Sequence, residues 1–120
     1  MTAEQKRKTH DHGLLAEGAA EIYLRAKGYD ILERRYKTPV GEIDLIARQK
    51  EFLVFIEVKG RPSIEEALFA ITPRMRGRIA AAAGHYIATH PECAGSAMRF
   101  DVTAVKLPFS VHHLENAWMV

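Results

Sequence analysis

Two neighbouring stretches decide the fold of this chain: Gly41-Glu42-Ile43-Asp44-Leu45-Ile46-Ala47 and Phe52-Leu53-Val54-Phe55-Ile56-Glu57-Val58-Lys59. Both are short, rich in branched and aromatic residues, and typical of β-strands. Only the polar residues 48–51 separate them, which predicts an antiparallel hairpin closed by a two-residue loop at Lys50 and Glu51. In such a hairpin Asp44 lies directly opposite Glu57, with their Cβ atoms about 4.5–5.5 Å apart.

The polar end of this hairpin indicates a site. Side chains alternate along a strand, so Glu57 and Lys59 share a face with apolar neighbours while the opposite face is wholly apolar. A strand that is apolar on both faces is buried on both, so its polar end marks where it emerges at a cleft. Opposed carboxylates repel each other, and a divalent metal ion would compensate. A solvated sheet end is the competing interpretation.

The composition indicates one soluble domain. The chain has 120 residues, 48% of them apolar, with a formal net charge of +2 and one cysteine, Cys93. We expect a disordered polar arm over residues 1–11 and a single domain over residues 12–118. No apolar run approaches the roughly 18 residues of a membrane span, and no signal-peptide core is present, so we expect a cytoplasmic protein without membrane contact. A small positive charge permits nucleic-acid binding without requiring it.

Periodicity and turn residues predict the other elements. Residues 11–27 read as a helix with an apolar stripe at Leu15, Ala19, Ile22 and Ala26, which Gly28 ends. Strands are predicted at 29–36, 41–47, 52–59, 98–105 and 111–117. A short helix follows a Ser63 cap, and a longer one begins at Thr72-Pro73 and ends at His90-Pro91. The order α-β-β-β-α-β-β predicts an α/β fold with a mixed sheet flanked by helices.

The aromatic residues Tyr23, Phe55, Phe69 and Tyr86 read as core, so no platform for stacking bases is expected. In the second long helix the predicted buried stripe is Met75, Ile79, Ala82, Ala83 and Tyr86. The six histidines have poor spacing for metal binding, and none is assigned chemistry.

The chain resembles the YraN-like family, small bacterial proteins related to archaeal Holliday-junction resolvases in the PD-(D/E)xK, or restriction-endonuclease-like, nuclease superfamily. A lone Glu-x-Lys is weak evidence, but Gly41–Ile46 with Glu57-Val58-Lys59 beginning thirteen residues after Asp44 is specific. Further matching pieces are Gly13, Glu17, Gly28-Tyr29, Ala70–Pro73, Arg99–Val102 and Glu115–Ala117. The resemblance implies an αβββαβ core with its site at the end of the hairpin strands.

The resemblance also implies roles. Asp44 and Glu57 would hold Mg²⁺ (or Mn²⁺), with the Val58 carbonyl and the Glu17 carboxylate as further ligands. Asp44, Glu57 and Lys59 would form the catalytic set, in which Lys59 orients the attacking water or neutralises charge on the scissile phosphate. Glu17 lies about 200° around the helical wheel from Leu15, so a position facing water is the alternative.

The chain departs from the family pattern in two places. The turn after Lys59 is short and lacks paired glycines near residues 66–68, and Met75 stands where a lysine is common in the second helix.

Basic residues near the predicted site would contact phosphates, which position nucleic acid without reading its sequence. The candidates are Arg34, Arg35, Lys37, Arg61, Arg74 and Arg78. For any single arginine, a solvated helix face is the simpler explanation. Two functions stay open: a Mg²⁺-dependent, structure-selective DNA endonuclease acting on duplex or branched DNA as a homodimer, or a non-catalytic DNA-binding or scaffold protein that keeps the nuclease fold.

Overall fold

The elements of the chain follow the predicted order. The structure, a computed structural model, describes residues 2–108 and 110–119. Its elements are α1 (Ala3–Ala26), β1 (Asp30–Thr38), β2 (Gly41–Gln49), β3 (Phe52–Lys59), α2 (Ile64–Ala70), α3 (Pro73–Thr89), a 3₁₀ turn (Pro91–Cys93), β4 (Ala97–Lys106) and β5 (Ser110–Trp118). The predicted α/β class and αβββαβ order are confirmed.

The five strands form one mixed sheet in the order β1-β2-β3-β4-β5. Strand β3 pairs in parallel with β4, and the other neighbours are antiparallel. A parallel pair needs a long crossover connection, which α2 and α3 provide between β3 and β4. None of the helices within the described residues is long and apolar enough to cross a lipid bilayer.

Both faces of β3 are buried, as the alternation along this strand predicted. Leu53 and Phe55 belong to a core formed with α2 and α3, while Val54 and Ile56 belong to a second core formed with α1. The hairpin strands therefore run through the middle of the protein, and their polar ends emerge between α1 and α3.

The start of α1 differs from the sequence prediction. The structure places residues 3–11 in the helix rather than in a disordered arm over residues 1–11. The physical reason is a capping box: the Thr2 hydroxyl accepts from the backbone N–H of Gln5 at 3.1 Å, and the Gln5 side chain accepts from the Thr2 N–H at 2.8 Å. These bonds satisfy two donors that a helix start otherwise leaves open.

The buried face of α1 is not the predicted one. Ala16, Ala20 and Leu24 face the sheet, whereas Leu15 and Ile22 are 61% and 73% exposed. Both sets recur at helical spacing, so the pattern alone favours the larger side chains. Alanines let the helix backbone lie close to the sheet, and that packing decides which face is buried.

The starts of α2 and α3 are confirmed. The Ser63 hydroxyl accepts from the N–H of Glu66 at 3.2 Å, and the Thr72 hydroxyl accepts from the N–H of Met75 at 3.2 Å. The predicted stripe of α3 is also confirmed, because Ile79, Ala82, Ala83 and Tyr86 are buried and Met75 packs against them.

Candidate functional site

Strands β2 and β3 separate where their acids begin. The predicted register is confirmed over five pairs, from Gln49 opposite Phe52 to Leu45 opposite Ile56. Beyond that the ladder stops, and the Asp44 carboxylate accepts the N–H of Val58 at 2.8 Å. A side chain thus takes the place of a backbone acceptor, and the strands fork around it.

Glu57 is buried at this fork and only 6% exposed, and Asp44 is half-buried beside it. Their carboxyl groups lie within hydrogen-bonding reach of each other. Burial first, and the charge of Asp44 second, raise the pKa of Glu57 to about 8. Burial also raises the pKa of Asp44, against the lowering effect of the Val58 N–H and the Lys59 ammonium. The pair therefore retains a proton at neutral pH.

Lys59 supplies the nearest positive charge. Its ammonium lies 3.8 Å from a Glu57 carboxylate oxygen, and its side chain is largely buried. This ammonium lowers the pKa values of both carboxyl groups, but the loss of water on burial raises them by more.

The fork opens into a cavity of about 300 Å³ between the hairpin and α3. Its lining residues are Glu42, Asp44, Glu57, Lys59, Met75, Arg78 and Ile79. Helix α3 comes this close because Gly41 has no side chain: a Cβ there would lie 2.2 Å from the carbonyl oxygen of Arg78. That close approach sets the wall of the cavity that carries Arg78.

Helix α1 brings Glu17 to the other side of Asp44. A second cavity of about 270 Å³ is lined by residues that include Glu17, Arg35, Lys37 and Asp44. Burial first, and then the charge of Asp44, raise the pKa of Glu17, while Arg35 opposes the shift. The corrected face of α1 explains this position, because Glu17 lies only about 20° around the helical wheel from the buried Leu24.

The protein donors for a metal are few. Within the described residues, no group of three or more His, Cys, Asp or Glu side chains is arranged to bind a metal ion. Asp44 and Glu57 can donate two carboxylates and Val58 a carbonyl. Any remaining ligands would be water molecules, with Glu17 reached through one of them.

Comparison with known proteins places the chain in a family. The model of Uncharacterised protein family UPF0102 matches residues 16–105, three quarters of the chain. The chain belongs to the UPF0102 family. It is 48% identical over 106 residues to a UPF0102 protein of Rhodopseudomonas palustris (strain BisA53), covering 88% of this chain and 82% of the relative. A UPF0102 protein of Azorhizobium caulinodans is 45% identical over 114 residues, 95% of this chain and 87% of that protein. This confirms the resemblance to the YraN-like family, which is the UPF0102 family, while the relation to the PD-(D/E)xK nucleases stays a prediction.

The predicted basic residues of this UPF0102 chain do not converge on one point. Arg78 lines the first cavity, and Arg35 and Lys37 line the second. Arg34 donates hydrogen bonds to both carboxylate oxygens of Glu21, one of them at 2.8 Å. The Glu21 carboxylate compensates the charge of Arg34, and this ion pair links α1 to β1.

The last two basic candidates lie further along the chain. Arg61 follows Lys59 and lines a separate groove, and Arg74 is exposed in the first turn of α3.

Glu42 is the site residue that the sequence analysis missed. It lines both cavities, because it lies two residues before Asp44 and so on the same side of β2. The alternation of side chains that predicts Glu57 and Lys59 on one face of β3 also predicts Glu42 and Asp44 on one face of β2.

A second buried charge cluster, also missed, lies on β4 and β5 of the UPF0102 fold. Arg99 donates to both carboxylate oxygens of Asp101 at 2.9 Å, and His113 contacts the same carboxylate at 2.8 Å. The N–H of Asn116 also donates to this carboxylate. Burial raises the pKa of Asp101, but the bonds from His113, Arg99 and Asn116 lower it by more, so the pKa lies below its usual range. The bonds of Asp101 with His113 and Asn116 join β4 to β5.

Proposed function

We propose that this UPF0102 chain is a metal-dependent DNA endonuclease that hydrolyses phosphodiester bonds in duplex or branched DNA. The observation that supports it is the close pair of Asp44 and Glu57 facing an open cavity, with Lys59 beside it. The pKa values of both carboxyl groups are raised although one ammonium lies beside them, and a divalent cation would supply the further positive charge.

The donors at the fork fit Mg²⁺ or Mn²⁺. They are all oxygens: the carboxylates of Asp44 and Glu57 and the carbonyl of Val58. Mg²⁺ keeps several of its waters, so a sparse set of protein ligands is enough, and Glu17 would bind one of those waters. When bound, the ion would activate water and stabilise charge on the phosphate.

Within this proposal Lys59 is the catalytic cation. Its ammonium already lies against Glu57, at the wall of the cavity where a phosphate would enter. There it neutralises the negative charge that develops on the phosphate oxygens as the water oxygen attacks phosphorus.

The charges around the fork support a nucleic-acid substrate. Arg78 lies on one side of Asp44, and Arg35 and Lys37 lie on the other, so a phosphate backbone crossing the fork meets a cation on each side. Such contacts position DNA without reading its sequence. Arg61 and Arg74 would extend the track along α2 and α3, whereas the ion pair of Arg34 makes it a weaker phosphate ligand.

One observation favours the non-catalytic alternative. Met75 lines the cavity, and the family pattern described above commonly has a lysine at this place in the second helix. A thioether offers a phosphate no charge, so a protein that binds DNA without turnover would tolerate this residue.

A cleavage screen with a catalytic variant tests the proposal. Four-way junctions, flaps, nicked duplex and single strands are incubated with Mg²⁺ or Mn²⁺ and the wild type. We expect cleavage, and we expect Lys59→Ala to abolish it with nearly unchanged affinity for DNA, because one phosphate contact among several is a small loss. Lys106→Ala, an exposed lysine at the end of β4, is the matched control. DNA binding without cleavage of any substrate would favour the alternative.

We further propose a cytoplasmic homodimer. A branched substrate that is cut symmetrically needs two sites, and Leu15 and Ile22 leave an exposed apolar ridge along α1 that a second copy would cover. The single, buried and unpaired Cys93 fits a reducing compartment. Sedimentation of the wild type and of Ile22→Glu tests the dimer.

A further inference from the structure

Phe69 is 91% exposed, the highest value for any large apolar side chain within the described residues. It lies in the last turn of α2, whose inward face carries the buried Ala67 and the partly buried Leu68. The sequence prediction that Phe69 belongs to the core is therefore wrong. The Phe69 ring of α2 is exposed to solvent, so a surface on which a base could stack is present where none was expected.

This ring lines a groove together with Arg61, which follows two residues after the candidate catalytic lysine. The groove has a volume of about 570 Å³ and is lined by Arg61, Glu65, Glu66, Phe69, Ala70 and Thr72. The N–H of Arg61 donates to the carbonyl of Lys59 at 2.9 Å, in a tight turn at the end of β3. One chain segment thus carries both the lysine at the fork and the arginine in the groove.

The charges in the groove are separated. Arg61 is a cation at the end nearer Lys59, and Thr72 caps the N-terminus of α3, where the helix dipole favours negative charge. Glu65 is an exposed acid on α2, whereas the Glu66 carboxylate accepts from the Ser63 hydroxyl at 3.1 Å. A ligand that fits must place an anion near Arg61, a flat apolar face on Phe69 and hydrogen-bond donors near Glu65.

We infer that this groove holds one unpaired nucleotide of the DNA substrate, with its base stacked on Phe69 and its phosphate at Arg61. The inference rests on the proposed function, since it requires DNA at Lys59. Amino groups on a base edge can donate to the carboxylate of Glu65, whereas the continuous phosphates of a paired duplex would be repelled by it.

The surroundings of Phe69 argue against a protein partner. Protein interfaces usually have a contiguous apolar centre, and here the single ring shares its groove with three charged residues, Arg61, Glu65 and Glu66. An exposed aromatic ring beside an arginine is the usual means of binding bases without reading sequence. The groove would therefore recognise the unpaired nucleotide at a branch or flap, which gives the site its preference for DNA structure.

A binding experiment without metal separates this inference from cleavage. The full chain in EDTA is titrated with two DNAs: a flap with 2-aminopurine at the unpaired nucleotide of the branch, and a paired duplex of the same length. Wild type should quench 2-aminopurine in the flap. Phe69→Ala should weaken flap binding at least about fivefold, the lower end of what base stacking contributes, and abolish the quenching. Its duplex affinity should stay within about twofold.

Two further variants complete the test. Phe69→Trp should restore flap affinity and quenching, because it keeps an aromatic face. Met119→Ala removes another exposed apolar side chain, 86% exposed, and should change nothing.

The outcomes are distinct. If wild type binds no DNA, the proposed function and this inference both fail. If wild type binds the flap and Phe69→Ala binds it equally well with unchanged quenching, the inference fails and the proposed function stands. Loss of self-association in Phe69→Ala, with flap binding intact, would instead assign the groove to a protein contact.

Discussion

Replacing Glu57 by glutamine should stabilise the protein, by an amount that grows with pH. Glutamine keeps the size of the side chain and can still donate a hydrogen bond to Asp44, but it cannot ionise. In the wild type, burial and then the charge of Asp44 raise the pKa of Glu57 from 4.5 to about 8. The stability that the neutral carboxyl contributes is thus complete below pH 4.5 and is lost as the pH rises through 8.

The size of the effect follows from the pKa shift. One pKa unit corresponds to about 1.36 kcal/mol, so at pH 7 the raised pKa costs the fold about 3 kcal/mol relative to the unfolded chain. At pH 9, above the folded pKa, the cost approaches about 5 kcal/mol. For a domain of this size, 3 kcal/mol corresponds to a melting temperature about 10–20 °C higher in Glu57→Gln at pH 7.

Urea denaturation in EDTA at pH 5, 7 and 9 measures this effect. Wild type, Glu57→Gln and the exposed-residue control Glu65→Gln are compared, and the advantage of Glu57→Gln should widen with pH while the control follows the wild type. Mn²⁺ at ten times its Kd should then stabilise wild type by about 1.4 kcal/mol and Glu57→Gln hardly at all. Parallel pH curves for all three proteins would show that Glu57 ionises freely, and the account of the fork would be wrong.

Three other perturbations test separate parts of the structure. Arg74→Ala combined with Arg78→Ala should weaken DNA binding and flatten its salt dependence by roughly one to two units of slope, measured by fluorescence anisotropy from low to high salt; an unchanged slope would remove both from the phosphate track. Gly41→Ala should destabilise by about 1–3 kcal/mol, since its Cβ would lie 2.2 Å from the carbonyl oxygen of Arg78. The control Gly84→Ala has open space and should stabilise α3 by up to about 1 kcal/mol in the same melts. Asp101→Ala should destabilise by about 3–5 kcal/mol, because it removes the carboxylate that accepts two bonds from the buried Arg99 and leaves only the more distant Glu115 as a charged partner; a loss below about 1 kcal/mol would contradict the buried network.

The sequence determined the hairpin and most element boundaries. The two-residue loop at Lys50 and Glu51 and the period of two along β3 fixed a register that holds over five pairs. The caps at Ser63 and Thr72 likewise fixed the starts of two helices. These features depend on residues a few positions apart, so their physical causes are contained in a short stretch of chain.

Only the tertiary structure decided which sides of the elements are buried. The sequence favoured Leu15 and Ile22 as the inner face of α1, but the sheet packs against alanines, and that rotation turns Glu17 towards Asp44. It also expected Phe69 inside, yet the short helix packs through its smaller residues. Period alone cannot choose between two helical stripes, because the choice depends on how closely another element can approach.

The electrostatics of the site depend on the same long-range packing. The sequence alone predicts Asp44 opposite Glu57. The strands fork, Asp44 accepts the Val58 N–H and the pKa values rise only when α1 and α3 bury the end of the hairpin. Burial removes water from charges that a solvated strand would leave unperturbed. The local sequence therefore predicts which acids form the site, whereas the pKa values of these acids depend on α1 and α3, which are distant along the chain.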